Sequence, residues 1–552
     1  MPEASACAAP RRTALLCLLA LALLAAGMTN CWRIQPDSAL YIGIAKSLAA
    51  GKGYTFSGRV QYSIPPVAPF YYSLAFSSGR LPAGPALARR FLWPNVLSSV
   101  VTLSGFVAAI LLLREVSPGG MTAALLMLVL SNRYYSTSLV PLTDGLYCLV
   151  SWAALAAFLR FRKQGRWLPG LLSALAVALA PLTRAVGIPL VIAAVIHLFP
   201  KNPAAPSAPG RVSRLLAALP GIVTAFAVAF VVMTHRGTRD FNYVDDLFSG
   251  RSAFDVAARF ASNLTTVPGG IFEALVGLES VAGLSLLLFA LIVIGAVRLW
   301  RSGKGVIVTY LAIYVVWVAA GERMLPRYVT PLLPLVYACV IDAVSWVIDV
   351  LAPWSAGGAR VARAVLVAVL AVNAAYIGRE ILRTRHGDFY STYRHGDYVD
   401  YLALCDALYA NPPNGRIMVR QERLICVLTG LDTVQLPYTV ELPRRTDVKE
   451  IGEFVLSRNV AALVIDPQDA DDTSLLSRFV EASPEWREKG RFGRLILYRS
   501  SVPPRPHPVV VARPDQSGRP LPLAPPGEFP LSRRERVRVR ENASWPASAA
   551  GA

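Results

Sequence analysis

About eleven runs in this chain are apolar enough, and nearly or fully long enough, to cross a bilayer, which takes at least ~17 residues of helix. They fall at roughly 14–31, 91–113, 118–131, 139–159, 168–183, 185–199, 213–234, 277–299, 304–320, 328–351 and 360–380. Lipid offers no hydrogen-bond partner to an open backbone, so such runs are confined to helices that satisfy their own N–H and C=O groups. The expected architecture is a multi-pass α-helical membrane protein. Composition agrees: of 552 residues, 54% are hydrophobic and 16% charged, and the mean hydropathy is +0.46. Soluble domains run roughly 45–50% apolar and about 25% charged. Arg11 and Arg12 ahead of the first run, with small residues behind it, resemble a signal peptide. No A-x-A site stands before Cys31 and the apolar core is long, so an uncleaved anchor is the better reading.

The net charge of +20 is dispersed rather than gathered on one surface. It falls in short loops: RFRKQGR at 160–166, Lys201 with Arg211 and Arg214, RLWRSGK at 298–304, and Arg360 with Arg363. Together with Arg11 and Arg12 these loops alternate along the chain and share one side, as cytoplasmic loops do. Topology accounts for the charge, and no nucleic-acid partner is implied. The exoplasmic segments are then 32–90, 132–138, the turn near Arg184, 235–276, 321–327 and everything past about 381. The seven cysteines form no C-x-x-C or Cys/His cluster, which argues against a structural zinc site. Cys405 and Cys426 share the soluble region, as a disulfide or, better, as two buried thiols.

Three parts are expected. Residues 1–383 form the membrane domain, with a proline-punctuated, aromatic exoplasmic loop at 32–90 and an interfacial helix near 240–260. In 384–500, GRIMV, TVQLPY, AALVIDP and RLILYRS read as strands, and VKEIGEFVLSRN and SLLSRFVEASPEW as helices. That alternation describes a small soluble α/β domain, suited to act as a lid or acceptor-docking module. Residues 501–552 are Pro- and Arg-rich with little to bury, and read as disordered.

Charges on the exoplasmic side break the positive-inside pattern and carry the chemistry. Asp37 opens PDSALYIGIAKSLAAGKGY just past the first run. Asp144 starts the fourth span, Arg184 ends the fifth, and Glu322, Arg323 and Arg327 precede the tenth. Charge at membrane depth is costly and ordinarily marks a polar cavity or pathway. Arginines hold phosphate through bidentate, charge-assisted hydrogen bonds, and a carboxylate can take the proton of an attacking hydroxyl. A sugar carried on a polyprenyl phosphate presents both groups at this depth. Each residue also has a plainer reading. Asp37 suits the N-cap of a helix over 38–50, and Asp144 the cap of its span. Arg184 and Arg327 suit snorkelling to headgroups, and Tyr41, Tyr71 and Tyr72 an aromatic belt. Asp342 reads as helix–helix glue, and the sequon at Asn263 carries little weight.

In their order along the chain these residues resemble the motifs of the integral-membrane GT-C glycosyltransferases, the group of protein mannosyltransferases and bacterial aminoarabinose transferases. The pattern D-E-x-x-Y-x-x-x-A-x-x-L-x-x-G reads here as Asp37-Ser38, Tyr41, Ala45, Leu48 and Gly51. K-P-P-L reads as Ile64-Pro65-Pro66-Val67, T-D as Thr143-Asp144, L-T-R as Leu182-Thr183-Arg184, and R-Y-x-x-P as Arg327-Tyr328 with Pro331. In the soluble region T-G-x-x-T-x-x-L-P reads as Thr429-Gly430, Thr433 and Leu436-Pro437. The resemblance covers about 13–500. It implies a GT-C fold of about eleven spans and transfer of a sugar from a polyprenyl-phosphate donor to a hydroxyl of a lipid, glycan or protein. It places the reaction on the exoplasmic face of the inner (plasma) membrane, by a single inverting displacement. Asp37 would be the general base, and Asp144, Arg184, Arg323, Arg327, Tyr41 and Tyr328 would bind substrate. Two departures matter. Ser38 stands where metal-using branches have a second acid, so no metal or other cofactor is expected. Ile64 replaces the lysine that meets the lipid phosphate, so Arg184, Arg323 or Arg327 must do so instead. The rivals are a transporter or flippase for lipid-linked sugars, and a non-catalytic binder of them. Clustering of the polar groups at one face, rather than at midplane in paired repeats, favours an enzyme.

Overall fold

The computed structural model describes residues 3–61, 64–77, 79, 81–198, 219–224, 226–227, 252–321, 325–351, 358–385, 398–435, 448–467 and 470–501. Five described helices are long and apolar enough to span a membrane: Leu92–Val116, Thr143–Gln164, Ala282–Arg301, Pro326–Val350 and Ala364–Arg383. Trp167–Thr183, Ala185–Leu198 and Gly305–Gly321 are shorter apolar helices. The expected run at 118–131 is helical only over Met121–Val129, which ends at Leu130, and the expected exoplasmic segment 132–138 is itself a short helix, Asn132–Ser138, capped by Ser131, whose Oγ accepts from the Tyr134 N–H at 3.2 Å. Most of 213–234, all of 240–251 and everything after Ser501 lie outside the described residues. The expected interfacial helix is seen from Ala253 to Thr265, capped by Ser252.

Among the described residues a large apolar core fills the helical bundle, with Leu112, Leu125, Trp152, Tyr310, Tyr314 and Leu335 all buried, and a small second cluster joins Leu24, Tyr135, Leu139 and Ile377. Outward faces stay apolar as well: Leu168, Leu171, Leu172 and Leu175 on one helix, and Leu284, Leu286, Leu287 and Val293 on another, are exposed. Rows of exposed leucines have no stable place in water and fit contact with lipid chains. Arg298 binds Asp342 at 2.6 Å, tying Ala282–Arg301 to Leu333–Leu351. Asn263 is buried, with its Nδ2 donating to Ala319 O, so it is committed to packing.

Two short strands, β1 (Thr55–Phe56) and β2 (Arg59–Val60), make a hairpin in the first loop. The remaining strands are β3 (Arg416–Val419), β4 (Thr433–Gln435), β5 (Val460–Ile465), β6 (Trp486–Phe492) and β7 (Leu495–Ser500). They form one mixed sheet in the order β4-β3-β5-β7-β6, parallel from β4 to β5 and antiparallel from β5 to β6. One face packs on helices Val448–Ser457 and Ala470–Ala482 through Leu463, Ile451 and Phe479. The other face shares a core with the first loop: Ile417 and Val464 lie in the same cluster as Trp32, Ile42 and Phe91. The α/β alternation is as expected, with two additions. The stretch ending in SPEW turns to strand at Trp486, as an edge strand whose charged residues face out. Helices Tyr398–Ala410 and Glu422–Thr429 were not anticipated, and the second of these reaches the site described next.

Candidate active site

Asp37 is the second residue of helix Pro36–Ala49 and is not its cap. The cap is Gln35, whose N–H donates to Ser38 Oγ at 2.9 Å while that hydroxyl donates to Gln35 O at 2.8 Å. Ser38 is buried and committed to the helix start, which leaves Asp37 free to point away from the turn it sits in. Its carboxylate is shared by two arginines, one from the helical bundle and one from the C-terminal region. Arg327 Nη1 approaches Oδ2 at 3.2 Å, and Arg423 Nη1 approaches Oδ1 at 3.4 Å. Arg423 also holds its neighbour, Glu422, at 3.4 Å.

Arg327 and Tyr328 sit at the turn that starts Pro326–Val350, and side chains from other helices fix that turn. Tyr314 donates to Tyr328 O at 2.8 Å, and Trp152 Nε1 to Pro331 O at 2.7 Å. Both Arg327 and Arg184 lie over the Tyr328 ring, at 5.1 and 5.3 Å from its centroid, and Arg327 also donates to the Tyr328 hydroxyl at 3.2 Å. Two cations against one ring repel each other, so each has its own carboxylate: Asp37 for Arg327, and Asp144 for Arg184.

Arg184 follows Trp167–Thr183, where the helix breaks. Its backbone is extended, and a 3-10 turn over Ala185–Gly187 begins the next apolar helix. That reversal needs glycine at 187, since a β-carbon there would run into the Ala180 and Pro181 backbone. Tyr147 locks the turn by donating to Val186 O at 2.8 Å, with its oxygen 3.0 Å from the Tyr310 hydroxyl. Arg184 ion-pairs with Asp144, the second residue of Thr143–Gln164, and both are largely buried. Neither residue therefore snorkels or caps. Tyr41, one turn on from Asp37, is half-buried and within electrostatic reach of Arg184. Tyr71 and Tyr72 have other work: their hydroxyls meet Leu97 O at 2.9 Å and Ser98 Oγ at 3.0 Å, binding helix Val67–Phe76 to Leu92–Val116.

Asp37, Asp144, Arg184, Arg327 and Tyr328 are thus brought into one chain of contacts, with Tyr41 beside it. Arg323 and Glu322 lie outside the described residues. Ile64 is held through its backbone, Tyr54 Oη lying 3.0 Å from Ile64 O and 3.2 Å from Pro65 O. Arg423 carries no sequence signal, because it lies in a soluble helix, far from any apolar run, where a charge is ordinary. Tyr147, Trp152, Tyr310 and Tyr314 were missed because an aromatic inside a span reads as core until its hydroxyl or N–H is seen to hold a turn.

The helix bearing Arg423, Glu422–Thr429, is seated on the Asp37 helix. Lys46 Nζ donates to Val427 O at 3.0 Å, and Ser57 Oγ to Asp432 Oδ1 at 2.8 Å. The approach is close enough that a β-carbon on Gly43 would lie 2.9 Å from Val427 Cγ2. Burial draws the Lys46 ammonium below its ordinary range, with Cys426 opposing and Lys52 adding to the shift. Burial raises the Glu422 carboxyl despite Arg423 and two backbone N–H contacts. Cys405 and Cys426 are both free thiols. Among the described residues no group of three or more His, Cys, Asp or Glu is arranged to hold a metal ion.

No family model matches the chain, and no curated protein matches it in sequence. Solved structures do match in fold. ArnT from Cupriavidus metallidurans bound to undecaprenyl phosphate superposes with TM-score 0.53 at 15% identity, over 88% of this chain and 97% of that one. Its apo state gives 0.54 at 14%, over 89% and 98%. The oligosaccharyltransferase AglB of Archaeoglobus fulgidus, in complex with an inhibitory peptide and a dolichol-phosphate, gives 0.52 at 12%, over 83% and 69%. With a likeness that covers 83–89% of its length, this chain has the fold of the integral-membrane GT-C glycosyltransferases.

Proposed function

We propose that the protein transfers a sugar from a polyprenyl-phosphate-linked donor to a hydroxyl of a lipid, glycan or protein, on the exoplasmic face of the inner membrane. The observation that carries this reading is a half-exposed carboxylate, Asp37, set beside arginines where several helices begin or end. It stands on a fold that one neighbour uses to bind undecaprenyl phosphate. In the proposed step the acceptor oxygen attacks the anomeric carbon and its proton passes to Asp37. The bond from that carbon to the phosphate oxygen breaks, with inversion, and polyprenyl phosphate leaves under the charge of Arg327, with the paired Arg184 across the Tyr328 ring adding to the field. Asp144 keeps Arg184 in place, and Tyr41 and Tyr328 border the sugar. The reading includes about eleven spans and an exoplasmic C-terminal domain. It also includes no metal, supported by Ser38, whose hydroxyl pairs with the Gln35 backbone where a second acid would stand.

The direct test offers purified protein a panel of polyprenyl-phosphate sugars and measures transfer. Failure with every donor, or turnover abolished by EDTA and restored by a divalent ion, would overturn the reaction or its metal independence respectively. Alkaline phosphatase fused after residue 400 should be active and fused within 160–167 silent; the reverse would put Asp37 in the cytoplasm.

A further inference from the structure

Asp37 meets two guanidinium groups that belong to different parts of the fold. Arg327 comes from the membrane bundle and takes Oδ2; Arg423 comes from the C-terminal domain and takes Oδ1. A carboxylate and a phosphate offer arginine the same face, two oxygens a little over 2 Å apart in one plane. A pair of arginines placed to straddle one can straddle the other. The Nε–H of Arg327 is buried and has no acceptor among the described residues, so the pair has donors to spare beyond those Asp37 uses. All three side chains are part-exposed, at 39% for Asp37, 32% for Arg327 and 27% for Arg423, so their pairing is exchangeable where that of Asp144 with Arg184 is not.

Resting on the proposed function, we infer that Arg423 and Arg327 together form the phosphate site for the lipid donor, and that Asp37 occupies it as an internal anion until the donor arrives. Phosphate binding then moves both arginines from the carboxylate to the phosphate and frees Asp37 to meet the acceptor hydroxyl. The C-terminal domain is in this way part of the active site, and it supplies a cation in a chain where Ile64 offers none. The order of events follows: the carboxylate becomes available only once a phosphate is bound.

The test measures equilibrium binding of undecaprenyl phosphate to the full-length protein in detergent, with undecaprenol as the uncharged control. Arg423→Gln should weaken binding of the phosphate at least about tenfold, as expected for a lost charge-assisted contact, and leave undecaprenol unchanged. Arg423→Lys should restore part of the loss. Asp37→Asn, which removes the internal competitor, should tighten phosphate binding by about threefold or more. Lys46→Met removes the Lys46–Val427 contact that seats the domain and leaves both arginines in place, and should leave binding within about twofold. Equal binding by wild type and Arg423→Gln, a loss in Lys46→Met as large as in Arg423→Gln, or no tightening in Asp37→Asn would each overturn the inference. A wild-type protein that does not bind undecaprenyl phosphate at all would instead remove the functional reading beneath it.

Discussion

Asp37 and Asp144 bear the same charge, each is the second residue of its helix, and each is bound to an arginine, yet they sit in different solvents. The Asp144 side chain is 4% exposed and its partner Arg184 13%; Asp37 is 39% exposed and Arg327 32%. A buried pair survives only as a pair, since either member alone would be an uncompensated charge in a low-dielectric interior. A half-exposed pair contributes little to stability and can exchange partners. In the proposed reaction the second acid and its arginine are framework, and the first does the chemistry. Both begin a helix, where an acidic group is favoured, so helix position does not separate them. Burial does.

The sharpest way to break this contrast is to remove each charge in turn. Asp37→Asn keeps a residue that is tolerated in a first helical turn, and the cap belongs to Gln35, so insertion and thermal unfolding should be unchanged. A positioned general base contributes about 10²–10⁴ in rate, so turnover should fall at least about 100-fold in a transfer assay. A folded variant with near-normal turnover would return Asp37 to a structural role.

Asp144→Ala should behave in the opposite way, failing first in stability. Leaving Arg184 buried without its partner should cost about 3–5 kcal/mol, read as a lowered unfolding temperature in detergent. Replacing both, as Asp144→Ala with Arg184→Leu, should recover much of that loss, because the penalty belongs to the orphaned charge. If the single variant is stable and loses only substrate affinity, Asp144 contacts substrate directly and the framework assignment fails. Between these extremes lies Arg327→Ala. A charge-assisted contact is worth about 1.5–3 kcal/mol, so donor-lipid affinity should drop by that amount while the fold holds. Unchanged affinity would place the phosphate elsewhere.

This contrast also marks how far the sequence could be read. Most of the apolar runs, the strands and the two later helices of the 384–500 region and the residues at the helix ends were legible, because each leaves a local signature: an uninterrupted run, a change of period, a charge where the membrane disfavours one. Whether Asp37 or Asp144 is exposed leaves no such mark, since both follow a short polar residue or proline at a helix start. Arg423 was invisible for a different reason. It lies in ERLICVLTG, ordinary for a soluble helix, and its meaning comes only from docking that helix on Pro36–Ala49, a contact between segments almost 400 residues apart in the chain. Ser38 could be read as a missing acid but not as the partner of Gln35, because a capping hydroxyl is recognised by its geometry.

Glu422 gives the smallest test and extends the comparison to a third acid. Like Asp144 it is mostly buried and beside an arginine, but its contact with Arg423 is long, at 3.4 Å, and that arginine is shared with Asp37. The compensation is therefore incomplete, and burial outweighs it, holding the carboxyl above the ordinary range. The sign follows from the folded state binding the proton more tightly than the unfolded chain does. The contribution to stability is fully present below the unfolded value, about 4.3, and is lost as pH rises through the raised folded value. Glu422→Gln cannot titrate, so its unfolding temperature should gain on wild type as pH rises from about 4 toward neutrality, then run parallel. If the gap instead moves in favour of wild type over that interval, the ion pair with Arg423 outweighs burial. Glu422 would then belong with Asp144 among the fully compensated acids, and Arg423 would be held in place by a strong neighbour rather than being free to leave Asp37 for a phosphate.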